Sequence, residues 1–310
     1  MLAATRAFFA ARGVLEVETP VMVNAAVTDV HLQCARVELE PAPGGSARTR
    51  FLHTSPEYAM KRLLAAGSGD IYQVCHVVRG FELSRVHNPE FTLIEWYRVG
   101  FALEELMSEV EALVRELMQA AGSTGQPGSE RVTYREAFLR ALGVDPFEAS
   151  LAQLAAAAET AGYRVPAEHG GLRDELLELL MASSIGPRLG RGGLTFVHGY
   201  PASQAALARL DPLDPRAARR FELYGEGIEL ANGFHELTDA TEQRRRFETD
   251  LRERQRSGLP RHAIDERLLA ALEAGLPDCA GVALGFDRLV MLATGAQHID
   301  TVLAFADDRA

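Results

Sequence analysis

The alternation of apolar and polar positions between Val77 and Arg98 organises the chain. The run Val77 Val78 Arg79 Gly80 Phe81 Glu82 Leu83 Ser84 Arg85 Val86 His87 Asn88 Pro89 Glu90 Phe91 Thr92 Leu93 Ile94 Glu95 Trp96 Tyr97 Arg98 predicts two strands joined by a polar loop. Successive strand side chains point to opposite faces, so Phe91, Leu93, Glu95 and Tyr97 share one. A glutamate in mid-strand is costly to bury alone, so this face opens onto solvent or meets a cation. A solvated sheet edge accounts for Glu95 taken singly. The density of Arg79, His87, Asn88 and Glu90 in the same hairpin favours a site.

Other patterns fill in around this hairpin. Leu2 to Arg12 predicts a helix stopped by Gly13, followed by a strand over Val14 to Val17 that ends at Pro20. Thr54 Ser55 Pro56 Glu57 Tyr58 leads into a helix over Ala59 to Ala66, and Glu57 fits the first-turn preference for acids. Leu103, Leu106, Val110, Leu113, Val114 and Leu117 recur at helical spacing within Phe101 to Ala121, which predicts a core-facing helix. Gly122 to Ser129 reads as a loop, and Val132 to Leu142 and Leu151 to Ala161 as helices. Residues 130–190 are expected to form a small helical insertion within a single catalytic domain covering 1–310. Leu194 to Val197 is a short strand leading to His198, which reads as a structural histidine.

Arg220 to Tyr224 and Gly227 to Leu237 predict two neighbouring strands carrying Glu222, Glu229, Glu236 and Asn232. With glycines that permit close approach of a ligand, they look like a binding surface. Glu229 and Glu236 differ in strand parity, which predicts a bulge near Gly233. Thr241 to Leu259 is densely charged and reads as a solvated helix laced with ion pairs, with contact to a protein partner as the lesser alternative. Asp265 to Leu276 is a further helix.

Composition narrows the class. With 310 residues, 47% hydrophobic and 24% charged, the chain suits one large soluble core. A net charge of −11 disfavours broad attraction to a phosphate backbone. Cys34, Cys75 and Cys279 are far apart, so buried free thiols are expected rather than a disulfide framework or a zinc site. No apolar run approaches the roughly 20 residues of a membrane span, and a cytoplasmic location is expected.

The segment His87 Asn88 Pro89 Glu90 Phe91 Thr92, with Glu95 and Tyr97, resembles motif 2 of the class II aminoacyl-tRNA synthetases in their lysyl branch. Gly281 to Met291 resembles motif 3, and Gly13 to Pro20 with Val21 resembles motif 1. The motifs occur in the family's order and span almost the whole chain. The resemblance implies an α+β fold, the class II catalytic core: an antiparallel sheet flanked by helices. Motif 1 begins almost at Met1, so no anticodon-binding OB domain is expected. Where the lysyl branch has Ser-Pro-Leu, this chain has Ala205 Ala206 Leu207. Within the branch it is most similar to the lysyl-tRNA synthetase paralogues that attach β-lysine to a protein.

That resemblance carries roles onto this sequence. Arg79 and Arg288 are the implied catalytic cations, Arg79 bridging the substrate carboxylate and the α-phosphate and Arg288 on the γ-phosphate. The ATP site is implied to comprise Arg79, Gly80, Phe81, Glu82, His87, Asn88, Phe91, Glu229, Leu230, Gly285 and Arg288, with adenine between Phe91 and Arg288. The family's Arg-x-Glu departs here: Phe81 takes the glutamate's place, so Glu82 is expected to meet the adenine amino group. Glu222 and Glu229 are the implied Mg²⁺ ligands. Ser55, Pro56, Glu57, Glu95, Tyr97, Asn232, Phe234, Glu236 and Ala283 are the implied amino-acid pocket, with Glu57 receiving the substrate's amino group. Ala283 stands where lysyl-tRNA synthetases have glycine, and its methyl would favour an isomer whose amino group has moved by one carbon.

The implied activity is ATP-dependent activation of (R)-β-lysine as an adenylate and its transfer to a lysine of elongation factor P. A homodimer with ATP and Mg²⁺, and no tRNA or membrane partner, is expected with it. Two alternatives compete: a minimal synthetase acting on tRNA, and an inactive regulatory paralogue. The presence of Arg79, Arg288, Glu222 and Glu229 counts against the second.

Overall fold

The computed structural model describes residues 1–41, 45–80, 82–123, 128–165 and 173–310. The chain begins with α1 (Leu2–Ala10), after which Gly13 turns at φ +66°, a left-handed conformation suited to glycine. The short strands β1 (Leu15–Glu16) and β2 (Met22–Val23) follow, then the hairpin β3 (Arg36–Leu39) and β4 (Arg48–Leu52). Next come α2 (Glu57–Ala65), β5 (Ile71–Val78), β6 (Glu90–Val99) and α3 (Leu103–Ala120). The middle of the chain is β7 (Gly128–Thr133), α4 (Tyr134–Leu142), α5 (Leu151–Thr160), α6 (Arg173–Leu180) and β8 (Gly193–Pro201). The last third is β9 (Ala217–Gly225), β10 (Ile228–His235), α7 (Ala240–Arg256), α8 (Glu266–Gly275), β11 (Cys279–Gly285) and α9 (Phe286–Thr294).

Eight strands form one sheet in the order β1-β5-β6-β11-β10-β9-β8-β7, and β2-β4-β3 form a small second sheet. The six central strands of the large sheet are antiparallel, while β1 and β7 add to its edges in parallel. On β6 the predicted alternation holds. Ile94 and Trp96 enter the main core with Phe8, Phe9 and the apolar stripe of α3, and Trp96 Nε1 donates to Glu109 Oε2 at 3.1 Å. The side chains of α2, α7 and α8 meet Tyr97 and Cys279 in a separate cluster.

The middle segment departs from expectation at its start. Ser129 to Thr133, read as a loop and the first turn of a helix, is instead the edge strand β7, paired in register with Leu194 to His198. The reason lies in Thr133: its hydroxyl accepts from Glu136 N–H at 3.1 Å, which fixes the helix start at Tyr134. The helices after it bury Phe138, Leu154 and Leu177 against Tyr200 and Tyr224 of the large sheet. Part of the loop expected at Gly122 to Ser129 and part of the 130–190 insertion lie outside the described residues. The cysteines are unpaired as expected, but only Cys279 is buried; Cys34 and Cys75 are half-buried.

The bulge expected near Gly233 occurs earlier, where the β9–β10 ladder shifts between Glu229 and Ala231. Its physical reason is the same parity conflict: one extra residue before Ala231 lets Glu229 and the even-numbered Asn232, Phe234 and Glu236 all reach one cavity. On α7 the ion pairs are present, with Glu242 meeting both Arg245 and Arg246. One face is nonetheless buried through Phe247, Leu251 and Arg254.

Candidate active site

A cavity of about 1090 Å³ lies against the β6 face that carries Phe91, Leu93, Glu95 and Tyr97. It takes in every residue assigned above to the amino-acid pocket, and most of those assigned to the nucleotide.

At one end the carboxylate of Glu95 accepts from two hydroxyls: Ser55 Oγ at 2.7 Å and Tyr97 OH at 2.8 Å. Ser55 in turn accepts from the Glu57 N–H at 3.0 Å, so the start of α2 after Pro56 is tied to β6. Two further carboxylates stand here. Glu57 Oε1 is 2.7 Å and Glu236 Oε2 2.6 Å from the ammonium of Lys61, a residue that the sequence reading passed over. The signal was the spacing: Glu57 and Lys61 are one helical turn apart. Asn232 Oδ1 and Glu236 Oε1 are buried without a hydrogen-bond partner. Such orphaned acceptors are what an ammonium donor satisfies.

Ala283 forms the floor between these groups, since β11 sets it opposite both Glu95 and Asn232. Gly281, two residues earlier on the same face, was also missed. A Cβ there would overlap the Tyr97 ring and stand 2.6 Å from Glu236 Oε1. Phe234 completes the apolar lining.

The electrostatics follow from crowding anions. Burial, then repulsion from Glu57, raises the Glu95 carboxyl; the Ser55 and Tyr97 hydroxyls offset this in part. Burial likewise raises Glu236 against the pull of Lys61. Burial disfavours the charge on Lys61, but Glu236 and Glu57 outweigh it and hold the ammonium charged.

At the other end Arg79 donates to the Thr54 carbonyl at 3.4 Å and stands over the Phe91 ring, 5.1 Å from its centre. Arg288 joins the hairpin loop to β10, donating to Val86 O at 3.1 Å and Glu229 O at 2.9 Å. Leu230 and Gly285 line the wall beside it. His87 accepts from or donates to Ser84 Oγ at 2.7 Å, and burial plus the nearby Arg288 and Arg79 push its pKa down to about 4. It is therefore neutral near pH 7.

Of the remaining nucleotide assignments, one lies on the cavity wall and two lie off it. Asn88 lines the cavity, but its amide is engaged: Nδ2 donates to Glu90 O at 2.6 Å and Oδ1 accepts from Asp307 N–H at 3.0 Å. It braces the backbone through its oxygen and one N–H, and the second N–H of Nδ2 is left to the cavity that it lines. Gly80 and Glu82 are not on the cavity wall. Gly80 N–H donates to Gln33 O at 2.8 Å, and the Glu82 carboxylate faces His87 Nε2 at 4.0 Å. Phe81 lies outside the described residues.

Glu222 and Glu229 both face the cavity from adjoining strands. Glu222 accepts from Arg220 at 2.5 Å and from Tyr224 OH at 2.6 Å. Partial desolvation of Glu229, and then the charge of Glu222 beside it, raise the Glu229 carboxyl, and a divalent cation would relieve that repulsion. Among the described residues no group of three or more metal-binding side chains occurs. Two carboxylates suit Mg²⁺, which takes much of its shell from phosphate and water.

Residues 1–309 match the family model described as tRNA synthetases class II (D, K and N). A Vibrio cholerae protein named elongation factor P (R)-β-lysine ligase is 52% identical over all 310 residues, which cover 94% of its length. A protein of the same name from Yersinia enterocolitica is 50% identical over the same share of both chains.

Proposed function

Since the chain belongs to the class II tRNA synthetases of the D, K and N type, we propose that it activates (R)-β-lysine with ATP and transfers it to a lysine side chain of elongation factor P. The observation that supports a substrate with two ammonium groups is the charge of the amino-acid end; the choice of (R)-β-lysine and of elongation factor P follows the names of the two relatives. Glu57, Glu95 and Glu236 stand at this end, and among the described residues Lys61 pairs with Glu57 and Glu236, so once all three carboxylates are ionised two negative charges are left for a substrate with two ammonium groups. The orphaned Glu236 Oε1 and Asn232 Oδ1 add acceptors for the same donors.

In the first step a carboxylate oxygen of the amino acid attacks the α-phosphorus, and pyrophosphate leaves with the bonding electron pair. Arg79 bridges the two approaching anions, since its planar guanidinium offers donors to both. Arg288 holds the phosphate tail for in-line departure. Glu222 and Glu229 would hold Mg²⁺, which supplies charge neutralisation on the phosphates when bound. In the second step the neutral amine of the acceptor lysine attacks the acyl carbon; AMP leaves and the amine loses a proton. No enzyme nucleophile is required, because the adenylate is already activated.

The proposal includes a homodimer in the cytoplasm. Leu15 on the edge strand β1 is exposed, as are Leu2, Val21 and Met22 before and after it in the chain, which suits burial against a second copy. The three unpaired cysteines suit a reducing compartment. Among the described residues no helix is long and apolar enough to cross a membrane.

The test is exchange of pyrophosphate into ATP with (R)-β-lysine, α-lysine or no amino acid, followed by mass analysis of added elongation factor P. Exchange strongest with (R)-β-lysine and a single lysyl mass gain on the factor are expected. Exchange with α-lysine and transfer to tRNA alone would replace this function with that of a minimal synthetase.

A further inference from the structure

Lys61 is enclosed, with its side chain 1% exposed, and its ammonium is shared by carboxylates from two distant parts of the chain. Glu57 lies one turn before it on α2, and Glu236 follows the end of β10. Both partners line the cavity, whereas Lys61 does not. It acts from behind the wall. Each carboxylate gives one oxygen to Lys61 and keeps the other, and on Glu236 the remaining Oε1 is buried without a hydrogen-bond partner.

(R)-β-lysine and α-lysine carry the same charges and the same atoms. They differ in the carbon that bears one amino group, the two attachment carbons being one bond of about 1.5 Å apart. Net charge cannot separate them; only acceptors held in place can. A Glu57 free to swing by that distance would serve either isomer. Without Lys61, Glu57 and Glu236 would be like charges side by side, and they would turn apart or take up a proton.

Building on the function proposed above, we propose that Lys61 is a positioning residue for amino-acid selection: by clamping Glu57 and Glu236 on one shared ammonium, it fixes the oxygens that read where the substrate's amino groups stand. Lys61 touches neither nucleotide nor reacting atoms, so its loss falls on discrimination between isomers.

The experiment compares wild type with Lys61→Met, which keeps the length of the side chain and removes its charge. In pyrophosphate exchange, the ratio of kcat/KM for (R)-β-lysine to that for α-lysine is expected to fall about tenfold or more, with KM for ATP within about threefold of wild type. An ion pair that only stabilises the fold would lower both substrates by one factor; an unchanged ratio overturns the proposal. Should Lys61→Met not yield folded protein, Lys61→Met/Glu236→Gln leaves fewer buried charges unpaired. Read against Glu236→Gln alone, it is expected to show the same loss of ratio, and no change between the two would again overturn the role of Lys61. Absence of (R)-β-lysine-dependent exchange in wild type would overturn the proposed function and this role together. Wild-type exchange with an unchanged ratio overturns this role alone.

Discussion

Ala283 stands opposite Glu95 in the ladder between β11 and β6, and its methyl group lies on the floor between Glu95 and Asn232. Removing that methyl deepens the floor beneath the group that an α-amino acid would bring there. Ala283→Gly is expected to raise kcat/KM for α-lysine relative to (R)-β-lysine. One methyl-sized contact changes such ratios by about 1 to 3 kcal/mol, or roughly 10- to 200-fold. Competitive pyrophosphate exchange with the two isomers measures it, and an unchanged ratio would remove Ala283 from the determinants of specificity.

The crowding of Glu95 and Glu236 predicts a pH dependence. Their pKa values are raised to about 8 and about 7, with burial as the leading cause. A substrate with two ammonium groups binds the ionised carboxylates, so binding expels protons and affinity rises with pH. KM for the amino acid should therefore fall between about pH 6 and pH 8, by up to about tenfold per unit for each proton released. KM for ATP should not follow it. Glu95→Gln removes one of the two titrating groups, and the slope for that variant should be shallower; an equal slope would assign the titration elsewhere.

The strands of the site were legible because period-two alternation is a local property. Phe91, Leu93, Glu95 and Tyr97 fall on one face wherever the strand is placed, and the cavity lies on that face. The position of the bulge in β10 was not legible to the residue. Parity alone demands one extra residue somewhere between Glu229 and Glu236, and only the pairing with β9 fixes it before Ala231. Strand β7 was hidden for a related reason: Ser129 to Thr133 has no apolar alternation of its own and becomes a strand by parallel pairing with β8. Lys61 was hidden by chemistry. A lysine on a predicted helix is ordinarily solvated, and only the arrival of Glu236 from 175 positions later makes this one a buried counter-ion.

The nucleotide end predicts two separable losses. Arg79→Met removes the cation assigned to the α-phosphate and should lower kcat by about 100-fold or more, as loss of a donor to developing charge does. Glu229→Gln should instead raise the Mg²⁺ concentration needed for half-maximal exchange, because it removes one of two carboxylate ligands. Titrating Mg²⁺ at saturating ATP distinguishes them. If Glu229→Gln left the Mg²⁺ requirement unmoved, the Glu229 carboxylate would serve only Arg288, whose Nη1 lies 3.9 Å from it.

Gly281 offers a test of the pocket from its floor. The Tyr97 ring and Glu236 Oε1 occupy the space a Cβ would need, with the carboxylate oxygen 2.6 Å from it. Both neighbours are buried, Tyr97 at 2% and Glu236 at 1% exposure, so neither can yield into solvent. Gly281→Ala must therefore push Tyr97 away from Glu95, push Glu236 away from Lys61, or shift β11. Overpacking of this kind costs about 1 to 3 kcal/mol of stability. The loss in amino-acid-dependent exchange should exceed it, at about 100-fold or more in kcat/KM, because each of these shifts moves a ligand-facing carboxylate or its support. Nucleotide binding stands apart from this floor, and KM for ATP is expected to stay within about threefold. Equal losses on both substrates, tracking the fall in Tm, would mean that Gly281 serves the packing of the sheet and not the shape of the pocket.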